Sequence, residues 1–170
     1  WDYDNDGWQD IMLTGYATRD VSDVAADYLG LANSAQRARL YRNNHDGTFS
    51  DVTVASGLYK VLQAMGANFG DLDNDGWLDF YLGTGEPSLS TLIPNRMFLN
   101  DGGRRFQDVT TSGGFGHLQK GHGVSFADLD NDGDQDVYAE MGGAYGGDTA
   151  RNVIFLNPGH DNNWITLKLE

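Results

Sequence analysis

A register of 57 residues that recurs along the chain, four short strand signals in each unit, and an Asp-Gly hairpin signal between the last two predict an all-β fold. Four antiparallel strands in a repeat of this size make a β-propeller blade. Gly66–Gly85 (GANFGDLDNDGWLDFYLGTG) aligns with Gly123–Gly142 (GVSFADLDNDGDQDVYAEMG), and Ala38–Thr53 with Asn95–Thr110. Pro94–Asn100 aligns with Arg151–Asn157 at the same offset. The opening unit, Trp1–Gly15, precedes its counterpart by 69 residues, so 12 extra residues lie between Gly15 and Ala38.

The expected blades span 1–53, 65–110 and 122–169. Strand A is read at Ala67–Gly70 and Val124–Ala127, before each Asp-rich loop. Strand B follows the loop at Ile11–Thr14, Phe80–Gly83 and Val137–Glu140. Strand C is Leu40–Asn43, Met97–Asn100 and Ile154–Asn157, and strand D is Phe49–Thr53, Phe106–Thr110 and Trp164–Leu169. The insertion at about 19–39 is Ala-rich and polar and reads as a short helix. Blade one has no strand A. About three blades, one of them a strand short, leave unpaired edges and cannot close a ring. The expectation is a partial ring, completed by further blades in the same chain or another.

Composition narrows the function. With 11 Lys+Arg against 25 Asp+Glu the net charge is -14, which disfavours nucleic acid and anionic membrane surfaces. No apolar run approaches the ~20 residues that span a bilayer. The absence of cysteine removes disulfide scaffolds and thiolate metal sites. A hydrophobic content of 39% is enough to build a core. The acidity itself is lopsided: 22 aspartates and only three glutamates. Asp favours turns and hard-cation sites over helical faces.

Those aspartates concentrate in three copies of D-x-D-x-D-G-x-x-D: Asp2, Asp4, Asp6 and Asp10; Asp71, Asp73, Asp75 and Asp79; Asp128, Asp130, Asp132 and Asp136. Alternate side chains in a tight loop converge on one point, and the glycine after the third aspartate permits the turn. Carboxylates at loop positions 1, 3, 5 and 9, with the backbone carbonyl of position 7, form the all-oxygen shell that Ca2+ takes. Position 7 is Trp8, Trp77 and Asp134, a variation consistent with use of the carbonyl alone. Three Ca2+ sites are expected. An EF-hand would need Glu at position 12, where this chain has Leu13, Leu82 and Ala139 inside strands.

NFGDLDNDGWLDFYLG and SFADLDNDGDQDVY, with MFLNDGGRRFQDVT, resemble the FG-GAP/VCBS repeats of integrin-α-like β-propellers. The closing NPGHDNNWITLKLE resembles the junction into the ASPIC/UnbV domain of cartilage-acidic-protein-like proteins. The resemblance implies a seven-bladed ring in an intact protein, calcium in the A–B loops, and an extracellular, periplasmic or cell-surface setting. It implies no catalytic activity.

The remaining features read as structural. His45, His117, His122 and His160 are scattered, and His122 stands where the preceding blade has Met65. Phe69, Phe98, Phe106, Phe126 and Phe155 recur in strand register and are expected in the core. Gly142–Gly147 lacks the Lys-Ser/Thr of a phosphate loop. The leading expectation is a non-catalytic, calcium-stiffened module that binds a protein or glycan through its B–C and D–A loops. The alternative is the propeller portion of a secreted polysaccharide lyase or hydrolase whose catalytic residues lie outside this segment.

Overall fold

The computed structural model describes residues 1–16, 21–86, 88, 92–143, 149–159 and 165. Three antiparallel meanders and one helix make up these residues, arranged as blades of a partial propeller. Blade one contains β1 (Ile11–Leu13), β2 (Arg39–Asn43) and β3 (Phe49–Asp51), with α1 (Val21–Tyr28) inserted between β1 and β2. Blade two is the complete four-stranded sheet: β4 (Ala64–Gly70), β5 (Asp79–Thr84), β6 (Arg96–Asp101) and β7 (Arg105–Asp108). Blade three contains β8 (Gly121–Ala127), β9 (Asp136–Met141) and β10 (Val153–Phe155). The strand expected at Trp164–Leu169 falls, apart from Ile165, outside the described residues.

Strand A is longer than its sequence signal. β4 and β8 each begin three residues early, and each passes through a register irregularity, between Ala64 and Gly66 and between Gly121 and Val124. An extra residue on one strand breaks period-2 alternation, which hides the strand's start from a pattern reading. The helix is shorter than the insertion. Gly30 at φ 69 stops it, and Leu31 N–H donates back to the Ala26 carbonyl at 2.7 Å, a left-handed glycine cap.

The core lies between sheets rather than within one. β5 is buried on both faces. Phe80 and Leu82 pack toward blade one with Tyr3, Leu40 and Leu58, while Tyr81 packs toward blade three with Val137 and Ala139. Phe98 and Phe106 join the first cluster as expected. Phe69 does not: on the edge strand β4 it is 45% exposed, although Trp1 stacks on it at 5.9 Å. At the end of the sheets away from the Asp-rich loops, Val24 of α1 packs with Val61 and Ile93. Asp27 holds that insertion down by pairing with Arg37 and accepting the Val61 N–H at 2.8 Å. The B–C and D–A connections therefore share that end.

Inner strands of neighbouring blades approach backbone to backbone. A Cβ on Gly66 would fall 1.5 Å from the His122 carbonyl oxygen, and one on Gly83 would fall 2.5 Å from Gly121. Gly123, the counterpart of Gly66 in blade three, meets only the flexible Glu140 side chain at 3.1 Å. Gly66→Ala should therefore destabilise the chain by at least about 3 kcal/mol in denaturant unfolding, and Gly123→Ala by under about 1 kcal/mol. Equal losses would show that the two blades do not meet at this seam.

Candidate metal centres

Each Asp-rich loop coils through one turn by alternating left- and right-handed residues. Asn5, Asn74 and Asn131 take φ values of 52, 54 and 63, and Gly7, Gly76 and Gly133 take 88, 90 and 98. Asparagine and glycine are the residues that adopt this region most readily. The first aspartate clamps the coil. Asp2 accepts the N–H groups of Asp6 and Gly7 at 3.1 and 2.8 Å, and Asp71 and Asp128 repeat the pattern. The third aspartate accepts the N–H of position 7: Trp8 on Asp6, Trp77 on Asp75, Asp134 on Asp132.

The coil brings carboxylates together. Oxygens of Asp2, Asp4 and Asp6 lie within 4.8 Å of one another, as do those of Asp71, Asp73 and Asp79, and those of Asp128, Asp130 and Asp136. Of the twelve core motif aspartates, nine enter these groups; Asp10, Asp75 and Asp132 stand beside them. The Asp134 side chain points elsewhere, with Oδ1 accepting from Asn74 Nδ2 of the preceding loop. Trp8 stacks flat on His45 at 5.0 Å, and Trp77 lies against Gly103. Their carbonyls remain the expected contribution of position 7.

The ninth aspartate has a second task. Asp79 accepts Leu72 N–H at 2.9 Å and Asn100 N–H at 2.7 Å, so its two oxygens tie the loop to the end of strand C. Asp10 does the same with Tyr3 and Asn43, and Asp136 with Leu129 and Asn157. The tied asparagine then reaches across the seam. Asn100 Nδ2 donates to the Tyr3 carbonyl of blade one at 2.8 Å, and Asn157 Nδ2 to the Leu72 carbonyl of blade two at 2.7 Å. Asn5 Nδ2 also spans the seam, to the Gly76 carbonyl at 2.8 Å. The motif alone assigns no task to either asparagine set, yet both recur in all three units: Asn5, Asn74 and Asn131; Asn43, Asn100 and Asn157.

Electrostatics place these groups under tension. Burial pushes the Asp79 carboxyl up to about 8, and the charges of Asp73 and Asp75 add to the rise against its two amide donors. Burial first, then Asp6, Asp10 and Asp2, raises Asp4. Burial likewise raises Asp71, and burial with Asp132, Asp136 and Asp128 raises Asp130. Asp6 is lowered instead, because His45 Nε2 bonds its Oδ2 at 2.6 Å. Like charges about 4 Å apart repel by roughly 1 kcal/mol even in water and by more near a protein surface. Asp4 Oδ1 is a buried oxygen with no hydrogen-bond donor. An oxygen-only donor set with a desolvated carboxylate oxygen that no donor reaches fits a hard divalent cation.

Residues 2–82 and 88–139 match a family model described as the FG-GAP-like repeat. No curated protein gave a significant match.

Two outcomes follow from this geometry. Asn100→Ala leaves the Tyr3 and Leu78 carbonyls without their donor and should cost about 1–3 kcal/mol in denaturant unfolding. Asn43→Ala removes the bond to the Gln9 carbonyl and the acceptor of the His45 N–H, both at exposed positions, and should cost less. In chelator, folded Asp79 keeps its proton up to pH about 8, whereas the unfolded carboxyl loses it near 3.8. The folded state thus holds the extra proton in that window, so stability should fall as pH rises from about 4 to 8. Asp79→Asn should flatten this slope in melting temperature against pH.

Proposed function

The chain belongs to the FG-GAP-like repeat family, and from that premise we propose that it is a calcium-binding, integrin-like propeller module. In this reading it carries three cation sites and serves as a non-catalytic scaffold outside the cytoplasm, on which a protein or glycan ligand docks. The observation that carries the reading is the threefold recurrence of carboxylate oxygens within 4.8 Å of one another, in loops that share one coil. Ca2+ suits them better than Mg2+, since clustered carboxylates on a flexible loop favour the larger ion and its variable coordination.

The cation's work is mechanical. Asn5 and Asn74 join each loop to the next, so an ion that neutralises a loop also stiffens a blade seam. Loop affinities in the ~10^-4 to 10^-3 M range suit the calcium of an extracellular or periplasmic setting. The ligand surface belongs at the opposite end. There Tyr28, Leu29 and Leu92, 82%, 68% and 60% exposed, flank a groove of about 950 Å3 between α1 and blade two. Connections that vary in length on a rigid scaffold are where binding concentrates. The resemblance of 157–170 to an ASPIC/UnbV junction stands as a finer proposal, outside the matched residues.

Calorimetric titration of the chelator-treated chain with Ca2+ tests the reading. About three sites are expected, falling to about two in Asp73→Asn, with a melting temperature that rises with free Ca2+. No heat of binding together with an unchanged melting curve would overturn it.

A further inference from the structure

Resting on the cation reading above, we propose that Asn5 and Asn74, at the fourth position of the first two Asp-rich loops, are positioning residues for the cation site of the following loop, so that the three sites fill cooperatively. Asn5 stands between Asp4 and Asp6, two of the three residues whose carboxylate oxygens converge in loop one. A left-handed φ of 52 sets it in the coil, and Asp2 holds the N–H of Asp6 beside it at 3.1 Å. From there Asn5 Nδ2 reaches the next blade and donates to the Gly76 carbonyl at 2.8 Å. That carbonyl and the Trp77 N–H belong to one peptide, which Asp75 Oδ1 also grips at 2.9 Å. The carbonyl that follows it, on Trp77, is the position-7 oxygen expected to meet the ion.

Asn74 repeats the reach at the next seam. It stands between Asp73 and Asp75 at φ 54, and its Nδ2 donates to Asp134 Oδ1, at position 7 of loop three. Asp132 Oδ1 accepts the Asp134 N–H at 3.0 Å, so that residue is held by its backbone and by its side chain. Each crossing bond thus runs from the carboxylate-bearing part of one loop to the carbonyl-presenting part of the next. Other contacts keep the loops at a fixed spacing. Asn100 donates to the Tyr3 carbonyl and Asn157 to the Leu72 carbonyl, both at position 2. The turn between β6 and β7 passes between loops one and two, where a Cβ on Gly103 would meet Trp77 at 2.5 Å and the Asp4 Cα at 2.9 Å.

Coupling follows from this geometry by linkage. An ion that draws Asp4 and Asp6 together fixes Asn5 between them, and Asn5 fixes the Gly76–Trp77 peptide. The second ion then meets a loop already in its binding conformation, and its apparent affinity rises accordingly. By reciprocity an ion in loop two favours loop one by the same factor. Repulsion between ions in neighbouring loops opposes this and is screened by solvent and salt. Couplings between sites typically span roughly 5- to 150-fold in affinity.

Calorimetric titration of the chelator-treated full chain with Ca2+ tests this, beside Asn5→Gly, Asn74→Gly and the double variant. Glycine adopts the left-handed backbone of these positions, so the coil survives and only the crossing donor is lost. The wild-type chain should bind about three ions with a Hill coefficient above unity. Each single variant should keep the ion count and the circular dichroism while losing part of the cooperativity. The double variant should bind its ions independently, and its half-saturation should need at least about 5-fold more free Ca2+. A structural loss alone would lower the ion count or the melting temperature without moving the Hill coefficient. Independent sites in the wild-type chain would overturn the coupling and leave the cation reading standing. Cooperativity that persists unchanged in both single variants would overturn the role of the asparagines, and a chain that binds no ion would overturn both readings.

Discussion

A buried aspartate whose two oxygens each accept a backbone N–H is the joint on which this architecture depends. Asp79 stands at the start of β5, behind its own Asp-rich loop, and grips the loop at Leu72 and the end of β6 at Asn100. Remove that grip and three things lose their reference at once: the curl of the loop, the register of strand C beside strand B, and the side chain of Asn100 that crosses to blade one. Sheet pairing alone would align strands, but it would not hold a loop above the sheet at a fixed distance from the neighbouring blade.

The same joint explains why the loops are so acidic without being merely solvated. A carboxylate that organises backbone N–H groups needs to stay ionised, and amide donors favour that state. Crowding further carboxylates around it, and burying it, works in the other direction. Backbone donors satisfy part of the charge in each loop, at Asp2, Asp71 and Asp128 above all, but Asp4 keeps a buried oxygen that no donor reaches. Structure and charge therefore make opposite demands on the same side chains. The proposed divalent ion would meet both, which would tie the mechanical role of the loops to their chemistry.

Much of this was legible in the sequence because a repeat reports its own architecture. One register located ten of the observed strands, and the three motif copies located every aspartate in the carboxylate groups. What escaped notice had physical causes. The early starts of β4 and β8 lie behind irregularities that disturb alternation. The length of α1 depends on the cap at Gly30 rather than on the composition of the insertion. Phe69 shares a pattern with buried phenylalanines, but its face of β4 opens toward Trp1 and solvent. The Asn43, Asn100 and Asn157 set was visible as a recurrence, while its task was not, since a side chain crossing between blades leaves no signature along one strand. His45 was equally opaque: its bond to Asp6 joins residues of two different turns.

The reach of the asparagine crossings has a kinetic consequence. Pairing of β6 with β7 closes over a handful of residues, whereas Asn100 and Tyr3 are 97 residues apart and Asn157 and Leu72 are 85 apart. Closing a long loop costs entropy that its contact recovers only once both partners are ordered. Hairpins should thus assemble first, each a marginal ribbon with one apolar side uncovered, and the seams should shut last. During that interval the apolar faces destined for a neighbouring blade are exposed together, so the hazard of misassembly for this chain is concentrated between secondary-structure formation and the docking of blade on blade.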